Sequence, residues 1–124
     1  MCEINIDRVE GTDYDADLGS YESVNVVGTV VGCPPSATDS QGQDAIEILV
    51  MLETSEHSRT EIVQITTHGD LTSEFGWTAY FKGVPCGGKV VVEARCLGGG
   101  DDCVAKFDDE MLCEGRLCPV VQFE

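Results

Sequence analysis

Seven cysteines are the most conspicuous residues of this chain that can do chemistry. Four of them, spaced as Cys96-x6-Cys103 and Cys113-x4-Cys118, could supply thiolates to a zinc ion. Structural zinc sites use cysteine pairs with two to four intervening residues, and only the second pair fits that spacing. We therefore favour disulfide bonds over zinc. So many cysteines in 124 residues indicate an oxidising compartment.

Three aspartates at alternating positions, Asp13, Asp15 and Asp17, are spaced as in an oxygen cage for calcium. An EF-hand loop would continue with glycine and glutamate where this chain has Leu18 and Val24. The alternative is a solvated acidic loop. Calcium is still the best metal candidate, because three close carboxylates repel one another unless a cation neutralises them. No cofactor is required by any of these patterns, and weaker acidic clusters occur at 101–102 and 108–110.

The two histidines do not form a catalytic set with other residues. His57 and His68 both fall in predicted turns, and although His68 lies close to Asp70, nothing in the sequence supplies the third member of a nucleophilic set. We therefore expect a protein without enzymatic activity.

Aromatic residues offer one candidate for ligand contact. Trp77 and Phe81 fall on the same face of a predicted strand, where core packing is their usual role. Tyr80 points the other way, so it is the one aromatic residue of this stretch that we predict to bind a ligand such as a sugar ring at the surface.

The charge of the chain limits its partners. The 23 acidic and 7 basic side chains give a net charge of −16. Such a field repels phosphate backbones and anionic lipid, so we expect neither nucleic acid binding nor membrane insertion, and no apolar run reaches transmembrane length. Other protein chains, or further copies of this one, are the expected partners.

The elements that position these residues are organised around the stretch from Phe75 to Cys96. Apolar and polar residues alternate with period two from Phe75 to Phe81 and again from Lys89 to Cys96, with a Gly/Pro turn between them. This pattern predicts two strands. Further strands are predicted at 2–7, 23–32, 46–53, 60–67, 104–112 and 117–123, and a loop at 10–22.

These strands predict a single all-β domain over residues 1–124. Seven or eight short strands with regular turns are typical of an antiparallel β-sandwich of the immunoglobulin or prealbumin type. The strand at 46–53 carries Leu49 and Met51 on its second face, so we expect it to be central and covered on both sides. Gly28 is expected to mark a bulge or a close backbone approach. The acidic loop 10–22 and a Cys-rich C-terminal segment, 96–118, complete the domain.

A run of short motifs resembles the carboxypeptidase regulatory-like, or prealbumin-like (transthyretin-like), domains. The motifs are V-x-V-V-G-x-V-V-G (24–32), A-I-E-I-L-V (45–50), T-T-H-G-D (66–70), F-G-W-T-A-Y-F (75–81) and G-V-P-C-G-G-K-V-V-V (83–92). The chain departs from the pattern at His68, where the turn aspartate is usual. The resemblance implies a seven-stranded sandwich that serves as an accessory or adhesive module of a larger surface protein.

Three hypotheses on function follow. The first is a non-catalytic extracellular or cell-surface module with an interaction or structural role in a larger assembly. The second is a calcium-dependent ligand-binding domain centred on Asp13, Asp15 and Asp17. The third is a virion or filament subunit that assembles through strand edges. The first segment, from Met1 to Asp7, lacks the pattern of a signal peptide, so an extracellular location implies a signal already removed or a longer polypeptide.

Strand direction restricts the disulfide pairing. If consecutive strands alternate in direction, one end of the sandwich carries Cys2, Cys33, Cys96 and Cys103, and the other end carries Cys86, Cys113 and Cys118. Because bridged Cα atoms lie within about 7 Å, pairs should form within one end. Cys33 then pairs with Cys96 or Cys103, with Cys2 as the remaining partner. Cys113 pairs with Cys118, and Cys86 is left free or joined to a second chain.

Overall fold

A computed structural model describes residues 2–15, 17–54, 57–67, 73–85 and 87–110. Its two antiparallel sheets confirm the predicted all-β sandwich. The elements are β1 (Glu3–Asp15), β2 (Ser20–Val31), β3 (Ala37–Thr38), β4 (Asp44–Glu53), β5 (Ser58–Thr66), β6 (Glu74–Pro85), β7 (Lys89–Cys96), a 3₁₀ segment (Leu97–Asp102) and β8 (Val104–Glu110). The predicted strand at 117–123 lies outside the described residues.

The first sheet has the order β1-β2-β6. Strand β6 buries Trp77, Ala79 and Phe81 and exposes Tyr80, as its alternation predicts. Each inward residue of β6 lies opposite an inward residue of β2, for example Ala79 opposite Val26. This sheet therefore supplies one continuous apolar face to the core.

The second sheet has the order β5-β4-β7-β8, and the two-residue strand β3 lies beside the beginning of β4. Strand β7 buries Val90, Val92, Ala94 and Cys96 and directs the intervening side chains outward. Strand β4 contributes Ile46, Ile48, Val50 and Leu52 to the same core. The two inner faces pack against each other, as in a sandwich.

Strand β4 is central, as predicted, but it is not covered on both sides by the described residues. Its outer residues Leu49 and Met51 are half-buried among side chains of the neighbouring strands. A shallow groove of about 190 Å³ on this outer face is lined by Met51, Glu53, Val91, Glu93 and Lys106. The second layer was expected because Leu49 and Met51 are apolar. Side chains of the neighbouring strands, rather than a second layer, shield these two residues from solvent.

The prediction of a loop at 10–22 is wrong. Strands β1 and β2 continue through this acidic segment as one hairpin and stay paired as far as Asp15 and Ser20. A bulge at Asp7 shifts the register between Ile6 and Arg8, so the inward positions change from Ile4 and Ile6 to Val9. Apolar and polar residues therefore alternate in a different phase before and after the bulge. A single period of two does not fit the whole strand, so the sequence pattern does not predict it.

Gly28 lies opposite this bulge, at a close approach of three strands. A Cβ atom at this position would lie 2.0 Å from the carbonyl oxygen of Asn5 and 2.4 Å from the indole ring of Trp77. The expectation of a close backbone approach at Gly28 is therefore confirmed. Only glycine at this position leaves room for both the buried indole of Trp77 and the paired backbone of β1.

We predict that Gly28→Ala destabilises the domain by about 1–3 kcal/mol or more, because the added methyl group overlaps a backbone oxygen that cannot rotate away. The matched control is Gly76→Ala in the neighbouring strand, where the nearest atom to an added Cβ is 4.0 Å away. Urea unfolding of both variants measures the difference. Equal losses of stability would contradict the close approach at Gly28.

Candidate functional site

The sandwich has two lateral seams, and they are closed in different ways. Strand β1 packs beside β8 at one seam, and β5 packs beside β6 at the other. The first seam is tied covalently by a disulfide between Cys2, just before β1, and Cys103, just before β8. No disulfide ties β5 to β6 within the described residues. The two edges of the molecule are therefore not equivalent.

A second disulfide, between Cys33 and Cys96, packs next to the first one. The Cα atoms of the two pairs are 5.6 Å apart for Cys2–Cys103 and 6.0 Å apart for Cys33–Cys96. Both pairs lie among those that strand direction allows. Gly99 of the 3₁₀ segment fits against them, since a Cβ there would lie 3.0 Å from the sulphurs of Cys2 and Cys96. One end of the sandwich is thus held by two adjacent bridges.

The clustered sulphurs of Cys2, Cys96 and Cys103 lie within 4.8 Å of one another, which is metal-binding distance. A thiolate is the form of cysteine that binds metal, and these sulphurs are in disulfides. Zinc could occupy this cluster only after both bridges are reduced. The other suggested zinc pair, Cys113 and Cys118, lies outside the described residues. Cys86 also lies outside them.

The second seam, which we call the open seam, is a cleft of about 560 Å³ between strands β5 and β6. Its walls are Arg59, Thr60 and Glu61 from β5 and Tyr80, Phe81 and Lys82 from β6. The only side chain seen to bridge it by hydrogen bonds among the described residues is that of Arg59, whose guanidinium donates to the backbone carbonyls of Lys82 and Gly83. The seam is therefore held by a side chain that solvent or a partner can displace.

The electrostatics of the open seam differ from those of the rest of the described surface. Four basic side chains elsewhere pair with a carboxylate at 3.6 Å or closer: Arg8, Lys89, Arg95 and Lys106. Arg59 and Lys82 have no such partner among the described residues, although the chain carries a net charge of −16. The seam thus brings together two cations that form no ion pair with a carboxylate of the described residues, with Glu61 as the one acid in its lining.

Tyr80 gives the seam an exposed aromatic surface. Its side chain is 60% exposed, whereas Trp77 and Phe81 are buried. The surface position predicted for Tyr80 is therefore confirmed, and its role in binding stays a prediction. The lining offers a flat ring, two cations and the backbone groups of two strand edges as contacts for a ligand.

The structure does not bring the three calcium-candidate aspartates together. Asp13 and Asp15 lie on β1, and Asp17 lies in the hairpin turn. The Asp15 carboxylate accepts hydrogen bonds from the backbone N–H groups of Asp17 and Leu18, at 2.9 and 3.3 Å. Asp15 therefore has a structural role in the turn. We also compared the positions of the histidine, cysteine, aspartate and glutamate side chains in the described part of the chain. Only the three cysteine sulphurs lie within metal-binding distance of one another.

The remaining acidic and histidine candidates also have ordinary surroundings. Asp101 pairs with Arg95 at 3.2 Å, and Asp108 pairs with Lys89 at 3.6 Å. His57 is exposed in the turn before β5, where its backbone carbonyl accepts a hydrogen bond from the Thr54 N–H. His68 lies outside the described residues. No helix in the described part of the chain is long and apolar enough to cross a membrane.

Comparison with known proteins returned no match to a family model, a curated protein or a solved structure.

Sequence reasoning missed Arg59 and Lys82. Both lie in segments predicted as a turn or as part of a strand, and nothing local marks a cation that lacks a carboxylate partner. To predict this pair of cations, one would need to know that β5 and β6 are neighbouring edges of different sheets. Tyr80 was found because strand alternation alone separates it from the buried Trp77 and Phe81.

We predict that the double substitution Cys2→Ser with Cys103→Ser lowers the free energy of unfolding by about 2–5 kcal/mol, because the bridge closes a loop of 101 residues. Cys33→Ser with Cys96→Ser, which opens a loop of 63 residues, should have an effect of similar size. Urea unfolding measures both losses. Non-reducing peptide mapping checks the pairing, and a Cys33–Cys103 bridge in the native protein would show it to be wrong.

Proposed function

We propose that this chain is a non-catalytic β-sandwich module of an extracellular or cell-surface assembly, and that it binds another protein chain at the open seam. The observation that carries this proposal is the difference between the two seams. One edge of the sandwich is closed by a disulfide, and the other presents two strand edges, Tyr80 and two cations without an ion-pair partner among the described residues.

The two disulfides support the extracellular or surface location. They join the first strand and the end of β2 to the segment between β7 and β8, so reduction would release both. Such bridges persist in oxidising compartments and are rare in the cytosol. A module placed outside the cell retains the two adjacent bridges that hold one end of its core.

The lining of the open seam supports a binding role. Tyrosine and arginine are enriched at protein interfaces, where a ring with a polar tip and a planar guanidinium provide contact area and hydrogen bonds. Unpaired strand edges add backbone donors and acceptors, which an extended segment of a partner can bind. A role as a subunit that assembles through strand edges is the second candidate. The edge of β5, which pairs with no strand other than β4 among the described residues, favours it.

The resemblance to the carboxypeptidase regulatory-like and prealbumin-like domains fits this proposal. Those domains are accessory or adhesive modules, and the sandwich architecture is compatible with them. We propose the immunoglobulin or prealbumin type for this chain on the motifs of the sequence alone. The calcium-dependent alternative has less support, because Asp15 is engaged in the hairpin turn.

The experiment that tests this proposal places a photo-crosslinking amino acid at Thr60, in the lining of the open seam, within cells of the organism that makes the protein. We expect covalent adducts with another protein chain, formed by molecules that carry both disulfides outside the cytosol. The control places the same amino acid at Leu18, which is 76% exposed in the hairpin turn of the other sheet. The proposal is overturned if Thr60 gives no adducts, or gives the same adducts as Leu18.

A further inference from the structure

Four strands form the lateral edges of the sandwich, and three of them carry features that oppose pairing with another strand. Strand β1 contains the bulge at Asp7 and a run of charged residues: Glu3, Asp7, Arg8, Glu10, Asp13 and Asp15. Strand β8 is only seven residues long and ends in Asp108, Asp109 and Glu110. Bulges, charges and short length are the usual protection of a sheet edge.

Strand β6 is protected in a different way. It contains Gly76 and Gly83, ends at Pro85, and has the Arg59 guanidinium bound to two of its carbonyls. Proline has no N–H to donate, and the guanidinium competes with an incoming strand for the two carbonyls that it binds. The edge of β6 is therefore partly used within the chain.

Strand β5 has fewer of these features: its only charged residues are Arg59 and Glu61, on the inner face opposite Leu52 and Val50. It is nine residues long, contains no proline, glycine or bulge, and pairs only with β4 among the described residues. Five of its nine residues are β-branched: Thr60, Ile62, Val63, Ile65 and Thr66. Its two charges, on Arg59 and Glu61, cancel in a chain of net charge −16. Edges of this composition are templates for strand addition.

We propose that the free edge of β5 pairs in antiparallel fashion with β5 of a second copy of this chain. This inference rests on the proposed function, since it names the chain that binds at the open seam. A two-fold axis through Ile62 lets all nine residues overlap. It also places Thr60 opposite Gln64 of the second copy.

The outer face of the second sheet supports this choice of occupant. Ile62 is 54% exposed and lies opposite Leu49 of β4 on that face. Pairing about Ile62 therefore joins the two copies in one row of four apolar side chains, Leu49 and Ile62 from each. On the inner side, the pairing covers Val63 and Ile65, which are only partly buried against the core.

Charge also favours a second copy over a basic partner. The chain has a net charge of −16, and a basic protein would gain most from β1 or β8, both of which carry several carboxylates. The neutral β5 is the edge where two copies of this acidic chain approach with the least local repulsion. The remaining long-range repulsion between the two copies is screened by salt. Self-association should therefore tighten as salt is raised, whereas binding of a basic partner would loosen.

The first experiment measures the mass of the oxidised full chain by sedimentation equilibrium across concentration, at about 0.1 and about 1 M sodium chloride. We expect a monomer–dimer equilibrium that shifts toward the dimer at high salt. Ile62→Lys should raise the dissociation constant by about tenfold or more, because it places two like charges at the two-fold axis. Leu18→Lys, which changes net charge equally at a more exposed position in the other sheet, should leave it unchanged.

Thermal melting of Ile62→Lys checks that the variant is folded, as expected for an exposed position. A chain that stays monomeric into the millimolar range at both salt concentrations overturns this inference, and so does a dimer that Ile62→Lys and Leu18→Lys weaken equally. In either case, adducts from Thr60 to a different protein would still support the proposed function. Loss of those adducts together with loss of the dimer would overturn both.

A pair of double variants tests the two-fold register. Thr60→Lys with Gln64→Glu places a Lys opposite a Glu twice across the axis, so the dimer should be retained or tightened. Thr60→Lys with Gln64→Lys places Lys opposite Lys twice. It should weaken the dimer, even though it reduces the net negative charge of each copy. A dimer that the second variant leaves intact would rule out the two-fold axis through Ile62.

Discussion

The contact of the Trp77 indole with Gly28 fixes the geometry on which the first sheet depends. The indole lies across β2 where a side chain on Gly28 would otherwise stand, and the backbone oxygen of Asn5 approaches from the other neighbouring strand. Strands β1, β2 and β6 are therefore in close contact at this position. The bulge at Asp7 follows immediately, and it turns Val9 into the core in place of the next residue in the alternation. The inner face of this sheet, against which the second sheet packs, follows from that arrangement.

The strands that could be predicted from the sequence are those in which one physical constraint acts alone. In β6 and β7 a buried face alternates with a solvated face without interruption, so the period of two gives both the strand and the direction of each side chain. In β1 the bulge changes the phase, and solvated aspartates give the outer face the composition of a loop. The same composition suggested a calcium site, whereas Asp15 uses its carboxylate to hold the hairpin turn.

The candidate site could be predicted only in part, because it belongs to two strands that are not neighbours in a sheet. The exposure of Tyr80 follows from local alternation. The presence of Arg59 beside Lys82 depends on which edges of the two sheets face each other, and that is set by the order of the strands. Cysteine pairing lies between these cases. Strand direction limits the ends at which bridges form, and the tertiary structure selects Cys33–Cys96 and Cys2–Cys103 from the pairs that remain.

The positions of the disulfides and of the open seam are connected by the requirements of a small sandwich. Each of its two sheets has two edges, and an edge must be paired, covered or charged if the protein is to remain soluble. The Cys2–Cys103 bridge fastens the start of β1 to the start of β8, and both strands carry carboxylates that oppose pairing with a further strand. At the other seam, the Arg59 guanidinium is the one described side chain that spans the gap by hydrogen bonds, and β5 has no net charge and five β-branched residues. A high net negative charge keeps the whole molecule soluble without protecting this strand locally. The acidic charge is therefore spread over the surface, while β5, the edge that we propose to pair, carries no net charge.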